Sequence, residues 1–152
     1  MRLRMLKLLP EQVARYWDEL GDAIISSIPP TVLYSPDMRY LTLDAILSGR
    51  LEVWTFYKQP ENGDTVKILV IMTTAIVSDV GSSYKSLLIY SIYGYQQDVS
   101  PKDWLGGLNM IKAYAKSKGC KNVLAYSDVE NIKKLVKVSG GNIDYSLLVM
   151  EV

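Results

Sequence analysis

The sequence predicts an α/β (α+β) domain: one mixed, mostly antiparallel central sheet flanked by about four helices, in the order β-α-α-β-β-β-α-β-α-β. Three observations carry that expectation. Apolar residues recur at helical spacing in stretches that open on a proline or a capping residue. Three apolar runs in the middle of the chain are separated only by turn-forming segments, which reads as an antiparallel meander. The last of those runs, a helix-length stretch and a short apolar run then read as two parallel strands joined by a right-handed crossover.

The elements follow in chain order. Leu3 to Leu8 reads as a short strand, and Pro10 suits a helix's first turn, where its missing N–H has no partner to lose. Val13, Trp17, Leu20, Ile24 and Ile28 give that helix one apolar face, which Pro29-Pro30 ends. A second helix is expected from an N-cap at Ser35, with Pro36 in its first turn, to Gly49, which can take the left-handed conformation that closes a helix. The meander comprises Arg50 to Tyr57, Thr65 to Val77 and Ser83 to Tyr93, with turns at 60–63 and 79–82. Ser100-Pro101-Lys102-Asp103 has the pattern of an N-cap, a first-turn proline and an acid. Trp104, Leu108, Ile111 and Ala115 then form the stripe of a helix that Gly119 ends. Val123 to Tyr126 reads as a buried strand, Ser127 to Glu130 as a capping box opening a helix to about Val138, and Gly140-Gly141 as its stop. Tyr145 to Val152 alternates enough to be a half-buried last strand.

Residues 1–152 read as a single domain, with no linker or repeat. A net charge of +1 with interspersed signs leaves no electrostatic footprint for nucleic acid or an anionic membrane. Lys133, Lys134 and Lys137 read as a solvated helix face. The uncharged apolar stretch from Ile68 to Val77 is far short of the roughly 20 residues that span a bilayer, so no membrane partner is expected. Histidine is absent, which excludes a histidine triad or proton shuttle and the usual zinc sets; no metal site is expected. Cys120 is the single cysteine and reads as a small core residue, and Trp17, Trp54 and Trp104 read as core anchors.

From Leu51 to Val152 the element order resembles the GCN5-related N-acetyltransferase (GNAT) fold. The residues that carry the likeness are Ile89 to Tyr93 leading into a helix, the passage Ala115 to Val123, and Asn131 followed by Gly140. The resemblance implies that the strand before the crossover helix splays from its parallel neighbour and that main-chain groups at Ile92 and Gly94, in the gap, face the pantetheine arm of acetyl-CoA. It also implies that the cofactor's diphosphate meets a loop of pattern Gln/Arg-x-x-Gly-x-Gly/Ala, aligned here with Gln97 to Lys102. Only Gln97 matches. Ser100 and Lys102 stand where the family has small residues, Pro101 removes one donor, and Asp98 and Asp103 place carboxylates where an anion would sit.

The family's tyrosine acid in the helix before the last strand has no counterpart in Leu135 to Gly140. Tyr93, Tyr126 or Tyr145 as acid, and Glu52 or Asp79 as base, are the substitutes within the sequence, and none is assigned a catalytic role. The expected function is a divergent GNAT-fold protein that has lost acetyl-CoA binding and acts as a binding or structural protein. Its partner is expected to be another protein or a second copy, met through a sheet edge, the groove or the first helix. Leu47 to Trp54 and the Gly119-Cys120 passage are similar to acetyltransferase-like proteins of bacteriophages, some of them virion components, which implies a cytoplasmic or virion location. No cofactor is expected on this reading. The alternative is an acetyl-CoA-dependent N-acetyltransferase with an atypical loop.

Overall fold

Alternating apolar residues along three consecutive runs build the centre of the fold. A computed structural model describes residues 2–63, 65–95 and 99–152. Strands β1 (Leu3–Leu8), β2 (Glu52–Lys58), β3 (Lys67–Ser78), β4 (Lys85–Gly94) and β5 (Asn122–Ala125) form one sheet in that order. The first four are antiparallel neighbours, and β5 runs parallel to β4 after the crossover helix α4 (Pro101–Ser117). The meander and the crossover are both as the sequence predicts.

The period-2 alternation sends successive side chains to two faces, each covered by helices. Val53 and Ile71 pack with Val13 of α1 (Pro10–Arg15), Leu20 and Ile24 of α2 (Trp17–Ser26) and Ile46 of α3 (Met38–Leu47). Trp54, Phe56, Val70, Met72, Leu87 and Ile89 pack on the other side with Ile111 and Ala115 of α4. Cys120 lies in that second core, buried, and Trp54 anchors it.

Five features differ from the expectation. The first helix is two, because the chain bends at Tyr16 (φ −107°, ψ 24°), so that Val13 and Ile24 both reach the sheet with no exposure at all. There are accordingly five helices, not four, among the described residues. The α2 end falls before the prolines, because the hydroxyls of Ser26 and Ser27 donate to Ala23 O and compete with the helix's own bonds. Asp37, rather than Ser35, is the N-cap of α3, and Ser35 Oγ instead donates to Asp37 Oδ1 at 2.8 Å. Helix α5 (Glu130–Val138) starts from Val129, whose N–H is taken by Ser127 Oγ at 3.1 Å, so the expected capping box is replaced by a turn.

The fifth difference is the largest. Tyr145 to Val152 forms no strand, and its residues are exposed rather than half buried. A strand needs a partner's N–H and C=O groups, and this segment is not laid along any strand of its own chain. Gly140 does stop α5, at φ +83°, and Gly141 N–H donates back to Val136 O at 2.8 Å. That pairing is the left-handed helix closure for which glycine is suited.

Candidate functional site

The site begins with a change of phase in β4. Thr73 pairs with Ser91 and the next residue, Thr74, pairs with Ile89, so Tyr90 is an extra residue bulged out of the ladder. Leu87 and Ile89 point to the α4 face before the bulge, and Ile92 packs there after it. A bulge bends its strand and sharpens the local twist. The bend takes β4 away from β5: their pairing runs from Ser86 with Asn122 to Ile89 with Ala125 and then stops. Tyr90 to Gly94 keeps β3 on one side and no described strand on the other.

The wedge that opens is apolar. A chamber of about 50 Å³ lies between Ile92, Val99 and Trp104 on one side and Ala125 and Leu135 on the other. Ile89, Leu108, Ala125, Ile132 and Val136 also line a cleft of about 940 Å³ that runs along β5 and α5. Trp104 is therefore a half-buried wall of this wedge as well as a core residue. A β-carbon placed on Gly94 would lie 3.8 Å from Trp104 Cζ2, ordinary contact, so the glycine is not demanded by space.

The start of α4 forms the wedge's end wall, and the chain caps it with its own groups. Ser100 Oγ accepts the Asp103 N–H at 3.1 Å, and Pro101 has no N–H to offer. The Asp103 carboxylate is 2.8 Å from Lys58 Nζ, with only 13% of its side chain exposed. Burial alone would raise its pKa; hydrogen bonds from Lys58 and Ser100, with the Lys58 charge, outweigh burial and hold the carboxyl below its ordinary value. Of the five residues aligned with the cofactor, Ile92 and Gly94 are on the freed part of β4, Ser100 and Lys102 are at the helix start, and Gln97 lies outside the described residues, as does Asp98.

The opposite face of the freed strand is polar. Thr73 and Ser91 are buried there, hydroxyl to hydroxyl. Tyr93 and Tyr95 meet edge to face, 5.0 Å apart at 80°. Burial, then the fields of Tyr93 and of Glu19 on α2, raise the Tyr95 pKa, and burial raises that of Tyr90. The Tyr90 and Tyr95 phenols therefore stay protonated at neutral pH and can donate a hydrogen bond. Tyr90 and Glu19 are additions to the residues singled out from the sequence, whereas Tyr95 belongs with Gly94 and the start of the Trp104 helix to the acetyltransferase alternative. No local pattern marks the first two, because a bulge and an approach of α2 to β4 are tertiary facts.

The other candidates are elsewhere. Glu52 accepts from Tyr114 Oη at 2.7 Å and lies 3.5 Å from Lys7, two strands away from β4. Asp79 accepts from Gly81 N and Ser82 Oγ in the β3–β4 turn. Tyr145, exposed beyond α5, and Tyr126, which follows the last β5 pair, both line the cleft along β5.

No protein-family model matches the chain, and no curated protein matches it by sequence. Solved structures do match. Glucosamine-6-phosphate N-acetyltransferase from Arabidopsis thaliana is 15% identical, covering 100% of this chain and 99% of that one at a TM-score of 0.63. An acetyltransferase of Clostridium acetobutylicum, solved with acetyl-CoA, is 12% identical over 99% of this chain and 96% of that one, TM-score 0.64. A GNAT family acetyltransferase from Staphylococcus aureus is 12% identical over 100% of both chains, TM-score 0.64. The chain has the GNAT fold. No helix among the described residues is long and apolar enough to cross a membrane.

Proposed function

We propose that the chain is an acetyl-CoA-dependent N-acetyltransferase with an atypical cofactor loop. The observation that carries this is the parting of β4 from β5 at the bulged Tyr90, over an apolar wedge. A strand edge with free main-chain groups, beside an apolar floor, suits an extended arm of alternating amides and methylenes. Ile92 and Gly94 would hold the pantetheine arm by main-chain pairing, and Ile92, Trp104 and Ala125 would exclude water around it. The bound thioester supplies an activated acetyl group. Tyr90, Tyr93 and Tyr95 stand on the other face, where their hydroxyls can orient an acceptor amine, and Glu19 adds negative charge near Tyr95 that favours a cationic one.

The fit is uneven along the cofactor. The arm matches the wedge, but among the described residues the α4 start is a poor diphosphate host, since Ser100 and Asp103 already use its donors and Pro101 lacks one. That capping favours a second reading, a binding or structural protein on the same fold, the role a phage-encoded virion component would use. Calorimetry with acetyl-CoA and with acetyl-pantetheine, which lacks the diphosphate, separates them. The enzyme reading expects micromolar binding of acetyl-CoA and retention of most of that affinity by acetyl-pantetheine. No heat from either at millimolar ligand supports the second.

A further inference from the structure

We infer that the outward face of α3 is the interface of a twofold dimer, in which α3 of one copy lies antiparallel against α3 of a second. The helix is apolar on two sides. Met38, Thr42 and Ile46 are buried toward the sheet, where Ile46 packs with Val13 and Ile71. The exposed residues of α3 are Tyr40, Leu41, Asp44 and Leu47, most of them large and apolar. Its neighbour α2 instead exposes Asp18, Glu19, Asp22 and Ser26, the polar side expected of a surface helix. A helix apolar all round belongs between two layers, and among the described residues α3 is packed against one.

The outward face is broad, and its charge is already compensated. Leu33, Tyr34, Tyr40, Leu41 and Leu47 are 51–76% exposed, which concentrates large apolar side chains in the helix and its approach. Asp44 is the acid among the exposed residues of the helix. Gly49 turns the chain at φ +78°, and Arg50 reaches back, its Nη2 3.1 Å from Asp44 Oδ2 and its Nε donating to Ser48 Oγ at 2.9 Å. Covering the face therefore leaves no unpaired Asp44 carboxylate behind.

Self-complementarity selects a second copy as the occupant. Asp37 stands at the start of α3 and Arg50 just past its end, with the apolar residues between them. An antiparallel pair sets each Asp37 against the other copy's Arg50, whose guanidinium has donors beyond those given to Asp44 and Ser48, and it opposes the two helix dipoles favourably. A different partner must carry both charges in the same order, whereas a second copy has them by symmetry. At roughly 100 Å² per large side chain, the two faces bury about 1,000 Å² before the polar rim is counted, the size at which specific interfaces begin. α3 packs on the sheet face opposite α4, so the pairing leaves the wedge open and holds under either reading of the function.

The test uses the full chain. Light scattering after gel filtration, at micromolar concentration, should give twice the 17.1 kDa of one chain. Leu41→Lys with Leu47→Lys, both at exposed positions, should raise the dissociation constant by roughly tenfold or more and leave the helical circular dichroism unchanged. In a Cys120→Ser background, Leu41→Cys leaves a single thiol per chain, so any disulfide joins two copies. That variant should run as a covalent dimer on a non-reducing gel, and Lys134→Cys, on the exposed side of α5, should not. A mass of one chain overturns the inference and leaves the face to a different protein. A dimer undiminished by the two lysine substitutions, or equal crosslinking from positions 41 and 134, overturns it as well by placing the contact elsewhere.

Discussion

The Lys58 ammonium lies 2.8 Å from the Asp103 carboxylate and ties the end of β2 to the first turn of α4. A helix start attracts an anion, and here the chain supplies that anion itself. Replacing Asp103 by Asn removes one negative charge and frees Lys58, which is worth about 1 kcal/mol to a nearby diphosphate at an effective dielectric intermediate between water and protein. Acetyl-CoA affinity should rise by roughly 3–10-fold in calorimetry. An unchanged affinity would locate the phosphates away from this turn.

The same carboxylate makes stability depend on pH, and the sign follows from its shift. Its folded pKa is below the ordinary value, so the unfolded chain binds the proton more readily. The stability it contributes is complete above the unfolded value near 3.9 and is lost as pH falls through the lower, folded one. In thermal melts, the gap between the parent and Asp103→Asn should be constant from about pH 5 to 8 and close below about pH 4. Ser100→Ala, which removes the cap, should cost about 1 kcal/mol. A gap that widens in acid would show that Asp103 is not held by its partners.

Ala125 is the last residue of β5 to pair with β4, and it lines both the chamber and the cleft. It is exposed, so a larger side chain there meets space rather than core. Ala125→Trp should leave unfolding within about 0.5 kcal/mol of the parent and reduce acetyl-CoA affinity by about tenfold or more, since the indole fills the wedge where the arm would run. Unimpaired binding by a folded variant would move the ligand out of the wedge.

The contrast between what could and could not be read from the sequence is physical. The Ser100 cap and the left-handed Gly49, Gly119 and Gly140 were legible because each depends on a few neighbouring residues. The parting of β4 from β5 was expected from resemblance, but the bulge that produces it was not, because Tyr90 sits in an apolar run whose register is set only by β3. The Lys58–Asp103 pair joins residues far apart in sequence, and no spacing announces it. Tyr145 to Val152 has a strand's pattern without a strand's partner, and pattern cannot say whether a partner exists.

Tyr114 and Glu52 give the alkaline counterpart of the Asp103 effect. Burial, then the hydrogen bond to Glu52 and its charge, push the Tyr114 phenol well above its ordinary range. The folded state therefore holds the proton more tightly, and the contribution is complete below the unfolded value near 10 and declines as pH rises above it. Tyr114→Phe should cost about 1.5–3 kcal/mol at neutral pH, as for a hydrogen bond to a charged group, and should flatten the loss of stability above about pH 10. Urea unfolding at pH 7 and pH 10.5 reads both effects. Parallel losses in parent and variant would mean that the phenol does not titrate with folding.

Trp54 and Thr74 are diagonal neighbours on the α4 face, and the indole N–H donates to the threonine hydroxyl at 2.9 Å with both residues buried. Thr74→Val keeps the shape but leaves the indole donor unpaired in the core, so it should cost about 1–3 kcal/mol, or a fall of several degrees in melting temperature. Trp54→Phe removes the donor at the expense of apolar contact and opens space beside Tyr114, whose ring centroid is 4.6 Å from that of Trp54. In the Trp54→Phe background, Thr74→Val has no indole N–H to orphan, and its cost should fall by about 1 kcal/mol or more. Equal costs in both backgrounds would assign the effect to packing around Thr74 rather than to the hydrogen bond.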